Sequence, residues 1–344
     1  MEPIKALAVH KDNSGCSYHR VALPFQFSRD EVDHAAFTGD LENRLKNADI
    51  VIWNRDFPGG GINAAIKAKN KYGFKVCVDL DDYWQLYPDH YLFENYKKNK
   101  TAKIIKQNIM FADVVTVTTE RLAEKVRQIH PNVHVIPNAL PYGQGQFQTF
   151  NEVLNRRQFN FMYAGQKSHL HDVAMIRQVL LHVSKKHPSA GFVLAGYHAS
   201  PDGVWQDIEK AFTSNQRLNN YQRIENRPLE LYMTVYRHAD AVIVPLQDNE
   251  FNSYKSNLKI LEAGVFGLPV ICQRVPPYSD CDAPVLFADT ANDWVHYMEA
   301  LMTGPQYAMG VGANIAKWCR ENHDLFYWNK KRFELYKNTI HGIN

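Results

Sequence analysis

The sequence predicts an α/β protein made of two doubly wound domains. Apolar segments of strand length alternate with helical patterns twice along the chain, and a polar, turn-rich stretch over 140–155 separates the two series. Such alternation is typical of right-handed βαβ units and therefore of parallel sheets. We expect one Rossmann-like domain at 1–145 and a second at 156–320. Ligands of such sheets bind at the carboxyl ends of the strands, so two domains facing across a cleft would place the site in that cleft.

Each series contributes its own set of predicted strands. In the first half they are Ala6–Val9, Ile50–Trp53, Lys75–Leu80, Val114–Thr118 and Val133–Ile136. In the second half they are Phe159–Tyr163, Phe192–Ala195, Ala241–Val244 and Pro269–Cys272. The segments between them are long enough for the crossover helices that parallel strands require.

Bulk composition narrows the class of protein. The chain has 344 residues, 45% hydrophobic and 22% charged, with a net charge of +3. These values are ordinary for a globular protein, and the charge is too small to predict a nucleic-acid binder by itself. Five scattered cysteines favour reduced thiols. The sequence shows neither an apolar run of membrane-spanning length nor a leader pattern, so we expect a cytoplasmic protein without a membrane span.

The segment over 257–271 is the most informative part of the chain. It predicts a helix that stops at Gly267 and leads into a buried strand. Lys255, Lys259 and Glu262 are spaced to share one face of that helix, and the amides near Ser256 and Asn257 would lie at its start. Lysines and amides suit a diphosphate, and a carboxylate suits ribose hydroxyls. The alternative is an amphipathic helix with a solvated Lys/Glu pair.

The residues from Lys259 to Val270 resemble the signature helix of GT-B glycosyltransferases of the GT4-like type. The resemblance implies that Glu262 contacts the donor ribose and that Lys259 or Lys255 neutralises the diphosphate. The family has a second glutamate eight positions earlier, where this chain has Tyr254. The resemblance also implies that the helical tail at 321–344 returns to the first domain, and that the reaction retains anomeric configuration without a metal or cofactor.

Other segments resemble parts of the same family. The loop over 13–20, with Gly15, follows the first strand where the family has a glycine loop near the donor sugar. The segment from Tyr163 to His169 resembles the first strand and loop of the second domain. There Gly165 would approach the donor, Lys167 would replace a family arginine on the diphosphate, and His169 is a further candidate for catalysis.

Several patterns leave alternatives open. Asp79-Leu80-Asp81-Asp82 contains Asp-x-Asp, which GT-A enzymes use for a metal. We favour an acceptor-side role for Asp81 or Asp82, with Asp82 as the candidate site residue, over a metal site. An acidic turn at the end of the strand is an equal alternative. Gly59-Gly60-Gly61 lacks a P-loop ending and predicts a tight turn. The histidines and cysteines show no metal-binding spacing.

The acceptor is less defined than the donor. A predicted helix over 91–111 carries five lysines, which are Lys97, Lys98, Lys100, Lys103 and Lys106. They form either a solvated helix face or a track for a polyanion. The sequence therefore favours a nucleotide-sugar-dependent glycosyltransferase acting on a glycan, a lipid, a protein or a hydroxymethylated base in DNA, in the host cytoplasm if phage-encoded. The alternative is a GT-B-like module that binds sugar or nucleotide without catalysis.

Overall fold

The computed structural model describes residues 4–10, 14–28, 34–36, 40–149, 158–199, 201–215 and 217–343. The chain forms two compact units. The first unit comprises Met1–Pro141, Tyr254–Ser256 and His323–Asn344, and the second comprises Tyr142–Ser253 and Asn257–Asn322. Among the described residues, no helix has both the length and the apolar character needed to cross a bilayer.

The first unit contains a six-stranded sheet in the order β2-β1-β3-β4-β5-β6, and all its strand pairs are parallel. The strands are β1 (Ala6–His10), β2 (His34–Ala36), β3 (Ile50–Asn54), β4 (Lys75–Leu80), β5 (Val114–Val117) and β6 (Val133–Val135). Apolar side chains of β1, β3 and β4 are buried without polar alternation. This pattern is typical of parallel strands covered by helices on both faces.

Helices connect these strands. They are α1 (Gly15–Ser17), α2 (Leu23–Gln26), α3 (Leu41–Asn47), α4 (Gly61–Tyr72), α5 (Phe93–Lys98), α6 (Thr101–Phe111) and α7 (Glu120–Arg127), with a π-helical turn at Tyr18–Ala22 between α1 and α2. The Gly59–Gly61 segment is a tight turn before α4, with Gly60 at a φ of 104°.

The second unit contains another parallel six-stranded sheet, in the order β12-β11-β10-β7-β8-β9. The strands are β7 (Phe159–Ala164), β8 (Ala190–Tyr197), β9 (Tyr221–Glu225), β10 (Ala241–Val244), β11 (Val270–Cys272) and β12 (Leu286–Phe287). Because β8 and β9 lie on one side of β7 while β10 to β12 lie on the other, the strand order reverses between β7 and β10.

The helices of the second unit precede a final helix that belongs to the first. They are α8 (Leu170–Met175), α9 (Arg177–Lys186), α10 (Val204–Phe212), α11 (Glu250–Ser253), α12 (Leu258–Val265), α13 (Pro276–Ser279), α14 (Ala291–Thr303) and α15 (Pro305–Asn322). Three 3-10 helices lie at Gly145–Phe147, Lys167–His169 and Leu229–His238. The final helix, α16 (Leu325–His341), buries Phe333 and Tyr336 against side chains of the first sheet.

The predicted two-sheet α/β fold is confirmed, and each predicted strand overlaps a strand of the structure. Three strands of the structure, β2, β9 and β12, are absent from the sequence-based prediction, and all three are edge strands. In β9 only Ile224 is buried, so the strand lacks the continuous apolar run of the central strands. Edge strands can be short and polar because one side pairs with no neighbour.

The single helix predicted over 91–111 is wrong. The chain breaks between α5 and α6 at Lys100, which adopts a left-handed conformation with a φ of 54°. A non-glycine residue in this region ends the regular helical hydrogen-bonding pattern. The five lysines of the predicted basic face are therefore divided between two helices and their junction.

Small residues hold α12 against α15. A Cβ atom on Gly312 of α15 would overlap the carbonyl group of Gly267, which follows α12, and a Cβ on Gly264 would overlap the Cys319 side chain. Gly267 itself has a φ of 63°, as expected for a glycine that terminates a helix. The close approach of the two backbones therefore requires glycine at 312.

We expect Gly312→Ala to reduce the free energy of unfolding by about 1–3 kcal/mol, because the new methyl group meets a backbone carbonyl that cannot move alone. The matched control is Gly310→Ala on the same helix, where a Cβ would have nothing within 4 Å. That variant should be stabilised by about 0.5–1 kcal/mol through the higher helix propensity of alanine. Urea unfolding of both variants checks the sign of each change, and equal effects would contradict the packing described.

Candidate functional site

The reversal of strand order in the second sheet defines where a ligand would bind. In open parallel sheets, ligands lie outside the carboxyl ends of the strands at the point where the strand order reverses. In the second unit this point is the end of β7 and the end of β10. Asp172 of α8 links the segment that follows β7 to the segment that follows β10, because its Oδ1 accepts a hydrogen bond from the Gln247 backbone N–H at 2.8 Å.

The turn after β7 is packed closely on both sides. A Cβ atom on Gly165 would overlap the Tyr163 ring and hydroxyl, and a Cβ on Gly196 would overlap the Gly165 carbonyl oxygen. Gly196 has a φ of 96° and lies at a register shift in β8. The structure therefore accounts for glycine at 165 by its contact with Tyr163. The predicted approach of Gly165 to a donor stays a prediction.

Lys259 reaches the same end of β7 from α12. Its ammonium group donates a hydrogen bond to the Ala164 carbonyl oxygen, and its Nζ lies 5.5 Å from the centroid of the Tyr163 ring. The structure thus brings Lys259 and Gly165, which are distant in sequence, to one edge of the sheet. A positive charge is held here beside the reversal point.

Glu262, one turn further along α12, is 3% exposed. Its Oε2 accepts a hydrogen bond from the Tyr236 hydroxyl at 2.7 Å, and the Tyr236 ring stacks on Phe266 with centroids 5.7 Å apart. Burial raises the pKa of the Glu262 carboxyl group, while the charge of Lys259 and the Tyr236 hydrogen bond oppose that rise. Tyr236 is absent from the predicted site residues, because in the sequence it stands out only as one of the buried positions over 229–238.

The prediction that Lys255 shares a helical face with Lys259 and Glu262 is wrong. Helix α12 begins at Leu258, after Asn257, so Lys255 and Ser256 precede it and count with the first unit. The Ser256 hydroxyl accepts a hydrogen bond from Asn138 at 2.7 Å.

Asn257 is the N-cap residue of α12 and belongs to the second unit. Its carbonyl group accepts the first hydrogen bond of the helix, from Ile260 at 2.9 Å, and its side chain hydrogen-bonds Cys281. The amides at the start of α12 therefore begin with that of Leu258 and not with those of Ser256 and Asn257 as predicted. A role for them in donor binding stays a prediction.

Lys167 and His169 lie on the single 3-10 turn after Gly165. The Lys167 ammonium pairs with Asp202 at 2.7 Å, and the two side chains are 33% and 42% exposed. His169 places its Nδ1 2.7 Å from Asp172 Oδ2, with a side chain only 13% exposed. The pairing fixes the imidazole orientation next to the reversal point, whereas Lys167 forms a surface ion pair.

A second cluster of charged side chains lies in the first unit, at the carboxyl ends of β3 and β4. Arg55 has a φ of 60° and donates from Nε and Nη2 to Asp81 at 2.8 and 3.0 Å. Asp82 lies 3.5 Å from Arg55 and 3.4 Å from Lys255. The Cys16 thiol, next to Gly15 of α1, hydrogen-bonds Asp81. Asn13, the first residue of the predicted glycine loop, lies outside the described residues.

The two neighbouring aspartates of this cluster differ electrostatically. Burial opposes ionisation of Asp81, but Arg55 and hydrogen bonds from Cys16 and Asn54 outweigh it and lower the pKa of Asp81 well below its usual range. Burial raises the pKa of Asp82, and the charge of Asp81 adds to that rise against Lys255 and Arg55. Asp82 is therefore the carboxyl group of this pair that holds a proton more readily, and its acceptor-side role stays a prediction.

Tyr254, which stands where the family's first glutamate would lie, packs its ring against Tyr83 in the first unit, with centroids 4.6 Å apart. Among the described residues, no group of three or more His, Cys, Asp or Glu side chains is arranged to hold a metal ion.

Comparisons with solved structures identify the fold. The sucrose-phosphate synthase of Thermosynechococcus elongatus superposes on this chain with a TM-score of 0.71 at 13% sequence identity. The superposition covers 99% of this chain and 100% of the synthase chain. HepE of Anabaena, in complex with UDP and glucose, gives a TM-score of 0.67 at 11% identity, covering 97% of this chain and all of its own. A glycosyltransferase from Rickettsia africae gives 0.69 at 10% identity, covering 99% of each chain.

No family model matches the sequence, and no curated protein sequence matches it. At the identities found, the structural likeness establishes the fold. The chain has the GT-B glycosyltransferase fold, with two parallel α/β sheets.

His19, in the π-helical turn after α1, is buried beside Arg20. Burial, and then the charge of Arg20, lower the pKa of His19 from 6.5 to about 4. Arg20 itself donates from Nε and Nη2 to Asp79 at 2.9 and 2.7 Å, so its positive charge is fixed next to the histidine. The folded protein therefore keeps His19 neutral at pH values where an unfolded chain protonates it.

We expect acid to destabilise the protein through His19. Its folded pKa lies below its unfolded pKa, so the contribution is present above about pH 6.5 and is lost as the pH falls toward 4. Between pH 7.5 and 5 the wild type should lose about 2 kcal/mol more free energy of unfolding than His19→Gln. Urea unfolding of both proteins across this range measures the difference, and identical slopes against pH would contradict the burial of a neutral imidazole.

Proposed function

We propose that this chain is a nucleotide-sugar-dependent glycosyltransferase whose second unit binds the donor. The observation that carries the proposal is that Lys259, one turn before Glu262 on α12, reaches the Gly165 turn at the strand-order reversal of a GT-B fold. A cation held at this position suits a diphosphate, which binds outside the carboxyl ends of parallel strands. The structural neighbour HepE, solved with UDP and glucose, supports UDP-sugar as the donor.

Lys259 and Glu262 have complementary roles in this proposal. When the bond between the anomeric carbon and the diphosphate oxygen breaks, negative charge develops on that oxygen, and the Lys259 ammonium stabilises it. Glu262 accepts from the ribose hydroxyls and orients the nucleotide. The hydrogen bond from Tyr236 occupies Oε2 of Glu262 and fixes the direction of the carboxylate. We propose retention of anomeric configuration, with the departing phosphate taking the acceptor proton, so that no dedicated base is required.

The lysines of α5, α6 and their junction support a polyanionic acceptor. Lys97, Lys98, Lys100 and Lys103 are all exposed, while Lys106 places its Nζ 5.8 Å from the Trp84 ring centroid. Helix α5 also carries Tyr96, whose hydroxyl lies 3.4 Å from Arg55 of the charged cluster. We propose a hydroxymethylated base in DNA as the acceptor, because exposed lysines can neutralise the phosphates of the DNA backbone.

The donor assignment is tested by kinetics with a panel of UDP-, GDP- and ADP-sugars. Lys259→Ala should lower kcat more than it raises KM, because its charge is used most as the phosphate departs. Glu262→Ala should raise donor KM and lower kcat/KM by about 1.5–3 kcal/mol of transition-state stabilisation. The matched control is Lys210→Ala, which removes an exposed ion pair with Asp207 in the same unit.

If kcat and KM of Lys259→Ala and Glu262→Ala match those of the Lys210→Ala control, the assignment of the donor site is wrong. A wild-type protein that binds a nucleotide sugar but releases no nucleotide with any donor would favour the alternative function, a non-catalytic binding module. The absence of both nucleotide binding and sugar binding would overturn both functions.

The acceptor assignment is tested by salt dependence. Lys98→Gln/Lys100→Asn/Lys103→Gln should weaken binding to duplex DNA and reduce the slope of log K against log salt by up to about 3, because each lysine displaces roughly one counterion. Asparagine at 100 tolerates the left-handed backbone. Lys330→Gln/Lys331→Gln/Lys337→Gln on α16 changes the net charge equally and should leave the slope unchanged. Equal slopes for both triple variants would instead favour a glycan, lipid or protein acceptor.

A further inference from the structure

The Tyr163 hydroxyl, at the end of the central strand β7, has no hydrogen-bond partner among the described residues. The side chain is 1% exposed, so water outside the protein does not reach it. A buried hydroxyl without a partner raises the free energy of the folded protein, because it has lost its hydrogen bonds to water. Most buried polar groups in folded proteins have partners, which makes this hydroxyl an exception that requires an explanation.

The position of the hydroxyl follows from the geometry of the strand. Phe161 and Tyr163 point to the same face of β7 and belong to the core there. A phenylalanine at 163 would fill the same volume and leave no polar atom unpaired. The hydroxyl instead extends past the apolar core to Gly165, whose missing side chain makes room for it.

The surroundings of the hydroxyl include both charges and further hydroxyls. The Lys259 Nζ lies 5.5 Å from the ring centroid, and the His169 ring lies 6.4 Å from it at a steep angle. Burial raises the pKa of the Tyr163 phenol well above its usual value, and the nearby Asp172, Tyr278 and Tyr232 raise it further, so the phenol stays protonated. Both oxygens of Asp172 already accept hydrogen bonds or ion pairs, from Gln247 and His169. Tyr163 is therefore a protonated donor next to a lysine.

We propose that the Tyr163 hydroxyl is a binding residue for the donor diphosphate, donating to a phosphate oxygen that Lys259 also contacts. This proposal rests on the proposed function. Because the Gly165 turn covers the hydroxyl, binding requires that turn to shift away from the ring. The glycine allows the shift, since it carries no side chain to be repacked and its backbone can adopt many conformations.

This assignment explains why a residue that destabilises the unliganded protein is retained at the site. The unpaired hydroxyl raises the free energy of the unliganded state, and a phosphate oxygen relieves that cost. The unpaired hydroxyl affects the unliganded protein, and the contact with phosphate affects the nucleotide-bound protein. A single substitution at 163 therefore changes stability and affinity separately.

Tyr163→Phe tests the proposal. The variant should unfold at the same temperature as the wild type or higher in the absence of nucleotide, because it removes an unpaired polar atom. Its Kd for the nucleoside diphosphate that the wild type binds, chosen from UDP, GDP and ADP, should rise about tenfold or more. Binding of the corresponding nucleoside without phosphates should be equal in the two proteins, measured by titration calorimetry.

The matched control is Tyr221→Phe on β9 of the same sheet. The Tyr221 hydroxyl donates to Glu209 at 2.7 Å, so its removal breaks a formed hydrogen bond. This variant should lose thermal stability and keep wild-type nucleotide affinity, which is the opposite of the pattern expected for Tyr163→Phe.

Three outcomes overturn the proposal. Unchanged nucleotide affinity in Tyr163→Phe would show that the hydroxyl does not meet the ligand. Reduced thermal stability with unchanged affinity would assign the hydroxyl to an internal water. Weaker binding of the nucleoside as well as the diphosphate would move the contact away from the phosphates. If the wild type binds no nucleoside diphosphate, the proposed function fails before this residue is tested.

Discussion

The candidate site depends on the hydrogen bonds that hold Lys259 to the end of β7 and Glu262, one turn further along α12, to Tyr236. Removing two opposite charges from water is costly unless each finds hydrogen-bond partners. The Lys259 ammonium of α12 donates a hydrogen bond to the Ala164 carbonyl oxygen. The Glu262 carboxylate of the same helix accepts one from the Tyr236 hydroxyl. The arrangement binds α12 to the end of β7 and keeps a positive charge at that edge of the sheet.

Close backbone packing keeps that pair in place. Gly267 and Gly312 allow α12 to approach α15, and Gly165 and Gly196 allow the turn after β7 to approach β8. A Cβ atom on Gly312 or Gly196 would overlap a backbone carbonyl oxygen, and a Cβ on Gly165 would overlap the Tyr163 side chain. The positions of the charged groups therefore follow from the packing of main chains, which is stiffer than the packing of side chains.

The sequence predicts the sheets well and the local details of the site less well. Long apolar runs such as Lys75–Leu80 identify the central strands, because parallel strands are buried on both faces. Edge strands such as β9 carry no such pattern. The spacing of Lys255, Lys259 and Glu262 predicts one helical face, but the start of a helix depends on local backbone geometry, which residue spacing does not reveal.

The sequence also does not reveal which side chains contact the predicted site residues. Lys259, Glu262 and Gly165 stand out by their motifs, but Tyr163 and Tyr236 look like ordinary core aromatics until the fold brings them to these residues. Arg55 is similar, since nothing in Asn54-Arg55 shows that the arginine pairs with Asp81. Motif spacing identifies candidate groups, and tertiary contacts decide which of them are buried, paired or exposed.

Hydrogen–deuterium exchange with and without nucleoside diphosphate tests the central claim most directly. The nucleotide used is whichever of UDP, GDP and ADP the protein binds, at a saturating concentration. If the end of β7 and the start of α12 hold the diphosphate, this nucleotide should slow the exchange of amides over 165–169 and 258–262. Protection confined to other parts of the chain, with nucleotide bound, would contradict the account.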